Sequence, residues 1–571
     1  MAAIVSECDV SYSDVFGDSD DDSEFSGFGA DDLGGVDSDD DIADVPVPVD
    51  DALDVADVDM ASVSDSDSSV RSNVSDSDTD SSDDDEWSRD LHSFQARPFS
   101  GPPPGPTTVM DAAKTVLDFF MLLFPLSLIE LLVRETNRYA QQKRAANPNL
   151  RRWTPVSVKD IKKFLGLRVF MSLDARPTLR KYWSKRTVWK CFVPRILTRS
   201  RFEEISSNFH ANDRTQHLPK EHPNHDKLHL IRPVLDEVLA NCLQQYNPHQ
   251  NSSIDEAMIA FRGRLGFRQY MPKKPTKYGV KVWMRADPTN GYCNEFQVYT
   301  GRVNVDVVER GLAARVVLDL SERLRGGHYV LNMDNFFSSL ELFERLKREG
   351  LYARGTVRVN RRGWPRQLLS EVRLRSQGDC AAAQKGTLSA FSWRDKRVVN
   401  LLSTADDPTV ETTVSRKQRD GTKKEVPCPS TLLHYNNNMN GVDHADQMRM
   451  EYPSGRMSRR WWVYLFWFLF DVAVSNAFIL MKESVAHQRV TRAGHPKPLT
   501  LLEFRETLSE QLMEIDQPND DRDAHVSGEG DRRRRCQGCK MDGRRCETKT
   551  FCRKCNVVMC KKSFPRYHRW R

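Results

Sequence analysis

The stretch 251–286 reads NSSIDEAMIAFRGRLGFRQYMPKKPTKYGVKVWMRA, and the change of pattern at its start decides the fold class. Before residue 251, apolar residues recur every three or four positions, as in DAAKTVLDFFMLLF. After it, short runs of alternating apolar and polar residues are separated by Gly and Pro. A spacing of three to four is typical of helices and a spacing of two is typical of strands. The sequence therefore predicts a helical region that gives way to a β-region near residue 250.

The segments that follow alternate between strand and helix patterns. SIDEAMIAFRG, GVKVWMRADP and NEFQVYTGR predict three strands, and VVERGLAARVVLDLSERL predicts a helix. HYVLNMDNFF then predicts an apolar strand, SSLELFERLKREG a helix and LYARGTVR another strand. Three strands, helix, strand, helix, strand is the order expected of a ribonuclease-H-like α/β catalytic core.

Charge is distributed very unevenly along the chain. The net charge is only +4, yet residues 1–90 hold 30 of the 80 acidic residues and two of the 84 basic ones. The remaining residues 91–571 therefore carry 82 basic residues against 50 acidic ones. Such a basic body is typical of proteins that bind nucleic acid, the alternative being a generally basic soluble protein.

The N-terminal segment is rich in Asp, Ser and Gly and poor in aromatic residues. It cannot bury enough apolar area to offset the entropy of ordering, so residues 1–106 are predicted to be a disordered acidic tail. Two roles remain open for this tail. It is either a solvating segment or an intramolecular mimic of DNA.

Membrane insertion is not expected. The N-terminus lacks a basic segment followed by an apolar core, which argues against a signal peptide. The run WWVYLFWFLF at 461–470 is ended by Asp471 and is too short for a confident span, so it predicts a buried helix. The run RRRR at 532–535 predicts a nuclear localisation signal or a phosphate clamp, and we expect the protein in the nucleus.

Three aspartates lie where strands and a helix would bring carboxylates together. Asp255 is in the first strand (SSIDEAM), Asp334 ends an apolar strand (VLNMDNFF), and Asp443 begins a helix (NGVDHADQM). Asp446 follows three residues later and shares the helical face of Asp443. Carboxylates that converge in this way can hold two Mg²⁺ or Mn²⁺ ions for in-line phosphoryl transfer. A single Asp at a strand end is more often a turn residue, so the prediction depends on all three together.

The C-terminal tail carries thiols at the spacing of zinc ligands. Cys536-x2-Cys539 and Cys552-x2-Cys555 form two pairs, whereas the Cys residues elsewhere are scattered singly, as is typical of a reducing compartment. The further candidate ligands are Cys546, Cys560 and His568. We therefore predict that residues 531–571 bind Zn²⁺ as a Cys-rich zinc finger.

At these motifs the sequence resembles the piggyBac transposase family. The block SIDEAMIAFRGRLGFRQYMPKKPTKYGVKVW resembles that family's first-aspartate block, MDNFFSS its second and GVDHADQM its third. The resemblance runs from roughly residue 110 to the C-terminus. It implies a catalytic triad of Asp255, Asp334 and Asp443, a metal site supported by Asp446, and cut-and-paste transposition of double-stranded DNA through hairpin ends at TTAA sites. It also implies a homodimer, because two transposon ends must be handled together.

The resemblance extends to the tail, where the family has a cross-brace finger that binds two zinc ions and recognises transposon-end DNA. This sequence departs from that pattern at two positions. Ser563 stands where relatives carry Cys, and Cys546 is an additional thiol. The visible Cys and His ligands are one short of two complete tetrahedral sites, so either one site lacks a ligand or Cys546 substitutes for it.

Basic residues near Asp255 fit contact with DNA. Phosphates are bound by cationic side chains, and aromatic rings can stack on unpaired bases. The interleaved aromatic residues are Phe261, Phe267, Tyr270 and Tyr278. The predicted DNA-binding residues here are Arg262, Arg264, Arg268, Lys273, Lys274, Lys277 and Lys281. Further along, Arg459 and Arg460 precede Trp461, which matches a family Trp near the transposon end and could equally be a core residue.

Three hypotheses follow for the function. The first is a metal-dependent DNA transposase that cleaves and transfers DNA strands. The second is a domesticated, catalytically silent DNA-binding or chromatin-associated protein. The third is a chromatin adaptor whose finger and acidic tail bind other proteins.

These patterns together divide the chain into seven segments. The core is α/β and ribonuclease-H-like, and it is flanked by an all-α domain, a disordered acidic N-terminus and a C-terminal zinc finger. The predicted segments are the acidic tail (1–106), the helical DNA-binding and dimerisation domain (107–250), the first part of the core (251–362), an irregular insertion (363–429), the core completion with a helical segment (430–490), a linker (491–530) and the zinc-binding domain (531–571).

Overall fold

The structure is a computed structural model, and it describes most of the chain from residue 86 onward. The described residues are 86–272, 274, 276–301, 311–418, 421–490, 496–515, 527–552 and 557–564. The predictions for residues 1–85, Lys273, Cys555 and His568 lie outside them.

Residues 86–106 lie against the α/β part of the chain and make specific contacts there. The Trp87 indole N–H donates to the Gly363 carbonyl at 3.0 Å, and the Arg97 backbone N–H donates to the Tyr352 hydroxyl at 2.7 Å. Composition predicted this part of the acidic tail to be disordered. It is ordered because its few aromatic and polar groups find partners on distant strands. At its end, β1 (Gly105–Pro106) pairs with β2 (Tyr246–Asn247).

Helices dominate residues 116–245. α1 and α3 each begin with a capping box, in which Thr115 and Asp118, or Ser157 and Asp160, satisfy each other's backbone N–H groups. The helices are α1 (Val116–Leu123), α2 (Leu126–Ala146), α3 (Val158–Leu173), α4 (Val193–Ile196), α5 (Arg199–Asn208) and α6 (Arg232–Gln245), with a short 3-10 helix at Arg214–Gln216.

Residues 176–191 belong to a separate compact unit. It contains two 3-10 helices, Leu179–Trp183 and Thr187–Trp189. The Arg176 guanidinium donates to the carbonyl of Lys181 at 3.1 Å and to the carbonyl of Trp189. One cation thus ties both short helices together.

A nine-stranded mixed sheet begins at Asn251, where the sequence pattern changes. Its strands are β3 (Asn251–Ala260), β4 (Gln269–Tyr270), β5 (Tyr278–Ala286), β6 (Cys293–Val298), β7 (Val330–Met333), β8 (Tyr352–Thr356), β9 (Cys380–Lys385), β10 (Leu388–Arg394) and β11 (Val398–Ser403). The order is β4-β5-β3-β7-β8-β11-β10-β9, and β6 also pairs with β5. The central strands β3, β7 and β8 are mutually parallel, and the outer pairings are antiparallel. The carboxyl end of β7 therefore lies beside the middle of β3.

Short helices cover the apolar sheet. Ile254, Leu331 and Phe343 belong to one core cluster that joins β3, β7 and a covering helix. The described helices in this region are α7 (Leu312–Ser321), α8 (Leu340–Arg348) and α9 (Arg366–Ser370), with a 3-10 helix at Glu322–Leu324.

Residues 363–429 have more regular structure than predicted. β9, β10 and β11 extend the main sheet through the β8–β11 pairing, and β12 (Glu411–Lys417) and β13 (Lys423–Pro429) form a separate hairpin. Six of the seven residues of β10 are buried. The pieces LSAFSWRD and VVNLLST already look strand-like in the sequence, and they form β10 and β11.

A long buried helix follows the sheet. This helix, α12 (Trp461–Glu483), spans 23 residues, and its most apolar stretch is 94% buried inside the protein. The helix continues through Asp471, whose carboxylate is 3.1 Å from the Arg505 guanidinium. Arg505 lies in α13 (Leu501–Met513), so the predicted linker 491–530 contains a helix that packs against the rest of the protein. The helices are α10 (Ser430–Asn438), α11 (Gly441–Glu451), α12 (Trp461–Glu483) and α13 (Leu501–Met513), with a 3-10 helix at Val485–His487.

The C-terminal elements are small. They are β14 (Arg489–Val490), β15 (Pro496–Lys497), β16 (Ser527–Arg535), α14 (Gln537–Met541) and β17 (Glu547–Cys552). β14 pairs with β15 and β16 pairs with β17, both in antiparallel fashion. The candidate zinc ligands lie on and around β17 and α14.

Candidate active site

Asp255 and Asp334 come together through strand register. β3 and β7 are parallel neighbours in which Ile254 pairs with Met333, so Asp255 and Asp334 are the next residues at the same level. Each carboxylate is oriented by a backbone N–H: Glu256 donates to Asp255 at 2.7 Å and Phe336 donates to Asp334 at 2.9 Å. Two of the three predicted carboxylates thus occupy one edge of the sheet.

Asp443 reaches the same place because α11 packs closely on β3. A Cβ atom at Gly441 would lie 2.5 Å from the Ser253 hydroxyl oxygen, so only Gly allows this approach. The Val442 backbone N–H donates to that same hydroxyl at 3.0 Å. Asp443 follows directly in the first turn of α11. Here a carboxylate also benefits from the positive end of the helix dipole.

Lys274 is the cation that these carboxylates share. Its ammonium nitrogen is 4.0 Å from an Asp255 oxygen and 3.5 Å from a Glu256 oxygen. Burial lowers the pKa of Lys274, but Asp255, Glu256 and Asp443 outweigh it and raise that pKa above its usual value. The charge of this ammonium group is therefore influenced by acidic residues of both β3 and α11.

The centre carries more negative charge than its own cations balance. Burial, together with the adjacent Glu256 carboxylate, raises the pKa of Asp255 to about 8. Burial also raises the pKa of Asp334 and of Asp446, the latter against the opposing effect of Arg449 at 3.0 Å. Hard divalent cations prefer carboxylate oxygens, so this donor set fits Mg²⁺ or Mn²⁺. Among the described residues, no three of these carboxylates have oxygen atoms that all lie within 4.8 Å of one another.

Two residues at this centre were not predicted. Glu256 pairs with Lys274 and, at 3.8 Å, with Lys281. Tyr435 of α10 is buried, and burial raises its pKa, as do the charges of Asp334 and Asp255. Glu256 could have been suspected from its position beside Asp255, whereas no sequence signal links Tyr435 to the strands.

A buried ion pair holds the strands behind the centre. Arg354 on β8 donates two hydrogen bonds of 2.7 Å to the Asp406 carboxylate and one of 2.9 Å to the side-chain oxygen of Asn332 on β7. His434 of α10 adds a 2.7 Å contact from its Nδ1 to Asp406. Asn332 lies two residues before Asp334, so this network fixes the strand end that carries the carboxylate.

The tail brings three thiols together. The sulfur atoms of Cys536, Cys539 and Cys560 all lie within 4.8 Å of one another, and this is the group of three metal-ligand atoms found among the described residues. The Ser563 hydroxyl is 3.4 Å from the Cys539 sulfur and 3.3 Å from the Cys560 sulfur. Cys546 packs against this group, and Cys552 is buried beside it. Soft thiolates at this separation suit Zn²⁺.

Comparisons with known proteins identify the family. A family model described as Transposase IS4 matches residues 115–478. The human PiggyBac transposable element-derived protein 3 is 28% identical over 496 residues, which cover 82% of this chain and 78% of that protein. The chain belongs to the piggyBac transposase family.

Other members of the piggyBac family match over a similar extent. The human PiggyBac transposable element-derived protein 5 is 24% identical over 439 residues, covering 73% of this chain and 80% of that one. The cryo-EM structure of a piggyBac transposase synaptic complex with hairpin DNA aligns with a TM-score of 0.62 at 25% identity, covering 81% of this chain and 100% of that one. The mixed sheet with its surrounding helices is therefore the fold of a piggyBac transposase.

The basic residues that the piggyBac resemblance placed near DNA fall into two groups. Arg262, Arg264, Arg268 and Lys277 are exposed along the segment between β3 and β5. Lys274 and Lys281 instead turn inward to the carboxylates, and the Lys281 ammonium also lies 4.8 Å from the Phe336 ring centre. The charges of these two lysines are paired with carboxylates of the protein, and their contact with DNA stays a prediction.

The predicted cluster before α12 also divides. Arg459 is exposed. Arg460 donates to the carbonyls of Phe209 at 2.9 Å and Ser206 at 2.7 Å, so it serves to hold α5 against α12. Trp461 is half-buried, with its ring centre 5.5 Å from that of Phe267. Both alternatives for Trp461 remain open, because one face packs and the rest is accessible.

Proposed function

We propose that this chain is a metal-dependent DNA transposase of piggyBac type, which cuts and pastes DNA at TTAA sites from a ribonuclease-H-like core. The observation that carries the proposal is the convergence of Asp255, Asp334 and Asp443 from two adjacent strands and a facing helix. No one of these elements could assemble the site alone.

In this proposal the three aspartates hold Mg²⁺ or Mn²⁺, and Asp446 supports the site through its position on the Asp443 face of α11. When bound, two divalent cations would supply the positive charge that activates an attacking oxygen and stabilises a leaving oxygen. The chain's own part is orientation. Backbone N–H groups fix the carboxylates of Asp255 and Asp334. The Arg354–Asp406 pair, through Asn332, fixes the end of β7 that leads to Asp334.

DNA is the proposed partner. The excess of basic residues in 91–571 favours a polyanion, and the exposed arginines beside the carboxylate centre can neutralise phosphates. The structural relative is a piggyBac transposase in a synaptic complex with hairpin DNA. By analogy we propose that this chain binds transposon ends as a homodimer, and that it acts in the nucleus.

We further propose that the tail is a zinc finger that recognises transposon-end DNA. Support comes from the group formed by Cys536, Cys539 and Cys560 and from the four arginines at 532–535 that precede it. The predicted second ligand pair, Cys552 with Cys555, and His568 lie partly or wholly outside the described residues. Thiolate coordination would fold this small segment, which has few apolar residues of its own.

Excision of a reporter flanked by the element's own ends tests the enzymatic proposal. We expect wild type to excise the reporter and Asp334→Asn to lose excision while still binding the ends. Asp319→Asn is the matched control, because Asp319 is an exposed residue of α7 that pairs with Arg315. Equal and negligible excision by wild type and Asp334→Asn, with authentic ends, would overturn the proposal.

A catalytically silent DNA-binding protein is the second candidate. One observation favours it: the Lys274 ammonium sits against Asp255 and Glu256, where a cation would otherwise be needed. The outcome expected for this candidate is tight binding to DNA ends with no strand cleavage at any Mg²⁺ or Mn²⁺ concentration. The third hypothesis, a chromatin adaptor, predicts protein partners that residues 531–571 retain after nuclease treatment.

A further inference from the structure

We propose that Cys546 supplies the fourth ligand to the zinc ion held by Cys536, Cys539 and Cys560, and that Ser563 does not. The inference rests on the proposed zinc finger and assigns its coordination in this chain. It concerns a thiol that lies outside both Cys-x2-Cys pairs of the sequence.

The three grouped thiols already have the geometry of a tetrahedral site. The sulfur atoms of Cys539 and Cys560 are 3.7 Å apart. Four sulfurs at about 2.3 Å from zinc are separated by about 3.8 Å along each edge of a tetrahedron. Backbone N–H groups also point at the first thiol: Cys560 donates to the Cys536 sulfur at 3.1 Å and Cys539 donates to it at 3.4 Å. Such bonds stabilise a thiolate, so these three residues form three corners of a site that needs a fourth.

Ser563 occupies the open side of this group but has the wrong chemistry. Its hydroxyl contacts two of the three sulfurs at 3.3 and 3.4 Å. A serine hydroxyl is neutral near pH 7, and protein zinc sites are built from thiolate, imidazole and carboxylate ligands. The hydroxyl can therefore hydrogen-bond to the thiolates without replacing one as a ligand.

Cys546 is held next to the same group by the backbone. The Cys536 N–H donates to the Cys546 carbonyl at 2.8 Å, and the Arg544 N–H donates to the Cys539 carbonyl at 2.8 Å. Gly543 adopts a φ of 69°, a left-handed conformation that turns the chain back after α14. This turn returns residues 544–546 to the thiol group from which the chain departed.

The Cys546 side chain packs beside the group. It lies against the buried cluster of Cys536, Cys539 and Cys552, although its sulfur is not one of the three that lie within 4.8 Å of one another. Cys546 is only partly buried, and zinc binding requires its side chain to turn toward the group. Cys552 is paired in sequence with Cys555, which leaves Cys546 as the described thiol free to complete the group.

Substitution of cobalt for zinc in the full-length chain tests this assignment, because thiolate-to-cobalt charge transfer reports how many thiolates bind. The variants are Cys546→Ser and, as a matched control, Ser563→Ala. We expect Cys546→Ser to lose charge-transfer absorption and to weaken zinc binding by about 10-fold or more, and Ser563→Ala to change neither. Zinc content by atomic absorption is measured on the same samples.

A rescue variant keeps the test independent of misfolding. Ser563→Cys placed in the Cys546→Ser background should restore both the absorption and the affinity, because it returns a thiol to the same group. Unchanged cobalt spectra and zinc affinity in Cys546→Ser would overturn the inference while leaving the zinc finger intact. An equal loss in Ser563→Ala would also overturn it, by making the hydroxyl the ligand. Wild-type protein that retains no zinc would overturn the finger itself.

Discussion

The carboxylate centre and the thiol group are both candidate metal sites, but the chain builds them in opposite ways. The carboxylates are contributed by β3, the end of β7 and the start of α11, which only the sheet topology brings together. The thiols lie within residues 536–560 and meet through one short turn. The first site is thus a property of the whole fold, and the second is a property of local spacing.

The two sites also differ in how they respond to charge. Burial and Glu256 raise the pKa of Asp255 to about 8, so the carboxylate resists ionisation until a cation arrives. A hydrogen bond from Ser563, against the effect of burial, lowers the pKa of Cys560 to about 6, whereas the pKa of Cys539 is raised and burial raises that of Cys546 to about 11. The comparison teaches that the carboxylate centre depends on its cation for charge balance, whereas in the thiol group Cys560 ionises readily and Cys539 and Cys546 give up their protons only when an ion binds.

The largest effect is expected from Asp443→Asn, the carboxylate most distant in sequence. Loss of several kcal/mol of metal-mediated stabilisation corresponds to a fall in strand cleavage of about 1000-fold or more. DNA binding should persist, because the exposed arginines are untouched. Cleavage of end-labelled DNA checks this, with Asp319→Asn as the control. A cleavage rate within a few fold of the wild-type rate would show that Asp443 is not part of the site formed by the other two aspartates.

Asp406→Asn should weaken the fold that assembles the carboxylate centre. Burial would raise the pKa of Asp406, but hydrogen bonds from His434 and Arg354 outweigh it and hold that pKa far below its usual range. Removing the charge leaves the Arg354 guanidinium uncompensated in the interior, at a cost of about 3 kcal/mol in free energy of unfolding. Denaturant titration measures this loss.

Wild type should also lose the Asp406 contribution to its free energy of unfolding as the pH falls. Its folded-state pKa is depressed, so this stability is present above the unfolded value near 3.8 and disappears as acid protonates the carboxylate. Asp319→Asn, which alters an exposed carboxylate of α7, is the control. Zinc content should not change in either variant, and a fall in zinc content would show that the two sites are not independent.

The third prediction concerns the pH dependence of metal binding at both sites. An ion that binds Asp255 must displace a proton, so the apparent Mn²⁺ affinity should fall by about 10-fold for each pH unit below 8. Zinc affinity at the thiol group should also fall as the pH falls, because zinc displaces protons from Cys539 and Cys546, whose pKa values are raised. Calorimetric titration with each metal provides the measurement. A Mn²⁺ affinity that is flat from pH 6 to 8 would contradict the burial of Asp255.

The smallest effect is expected from the double variant Cys536→Ser, Cys539→Ser. It removes two thiols of the group, and we expect the affinity for specific transposon ends to fall by about 10-fold or more while affinity for unrelated DNA stays unchanged. Gel-shift titration on matched specific and unrelated duplexes distinguishes the two. If specific affinity is retained, the finger has no part in end recognition.

The sequence indicated the candidate sites better than it indicated the surrounding fold. The spacing of Cys536 and Cys539 is a local signal, and the strands around Asp255 and Asp334 alternate or end visibly. The order of residues 86–106 was missed because it comes from contacts such as Trp87 with Gly363, which no local pattern reveals. Within 363–429 the strand-like pieces LSAFSWRD and VVNLLST form β10 and β11, whereas β9, β12 and β13 were not predicted.

The sequence also could not predict whether a charged side chain points inward or outward. Lys274 and Lys281 stand in a basic run with Arg262 and Lys277, yet the two lysines face the carboxylates and the other two residues face outward. For Lys281 the pairing of β3 with β5 decides this, since Met258 opposes Lys281 and places Glu256, two residues earlier on β3, within reach. Composition predicts that a surface is basic, but register decides which cations contribute to it.

The most direct test of the central claim, that three separate elements form one metal site, is Mn²⁺ binding to the full chain followed by electron paramagnetic resonance at pH 8. We predict that wild type and Asp319→Asn bind Mn²⁺ alike. Asp255→Asn, Asp334→Asn and Asp443→Asn should each lose most of the bound signal, although the three residues lie far apart in the chain. Retention of the wild-type Mn²⁺ signal by any one of the three variants would contradict a shared site.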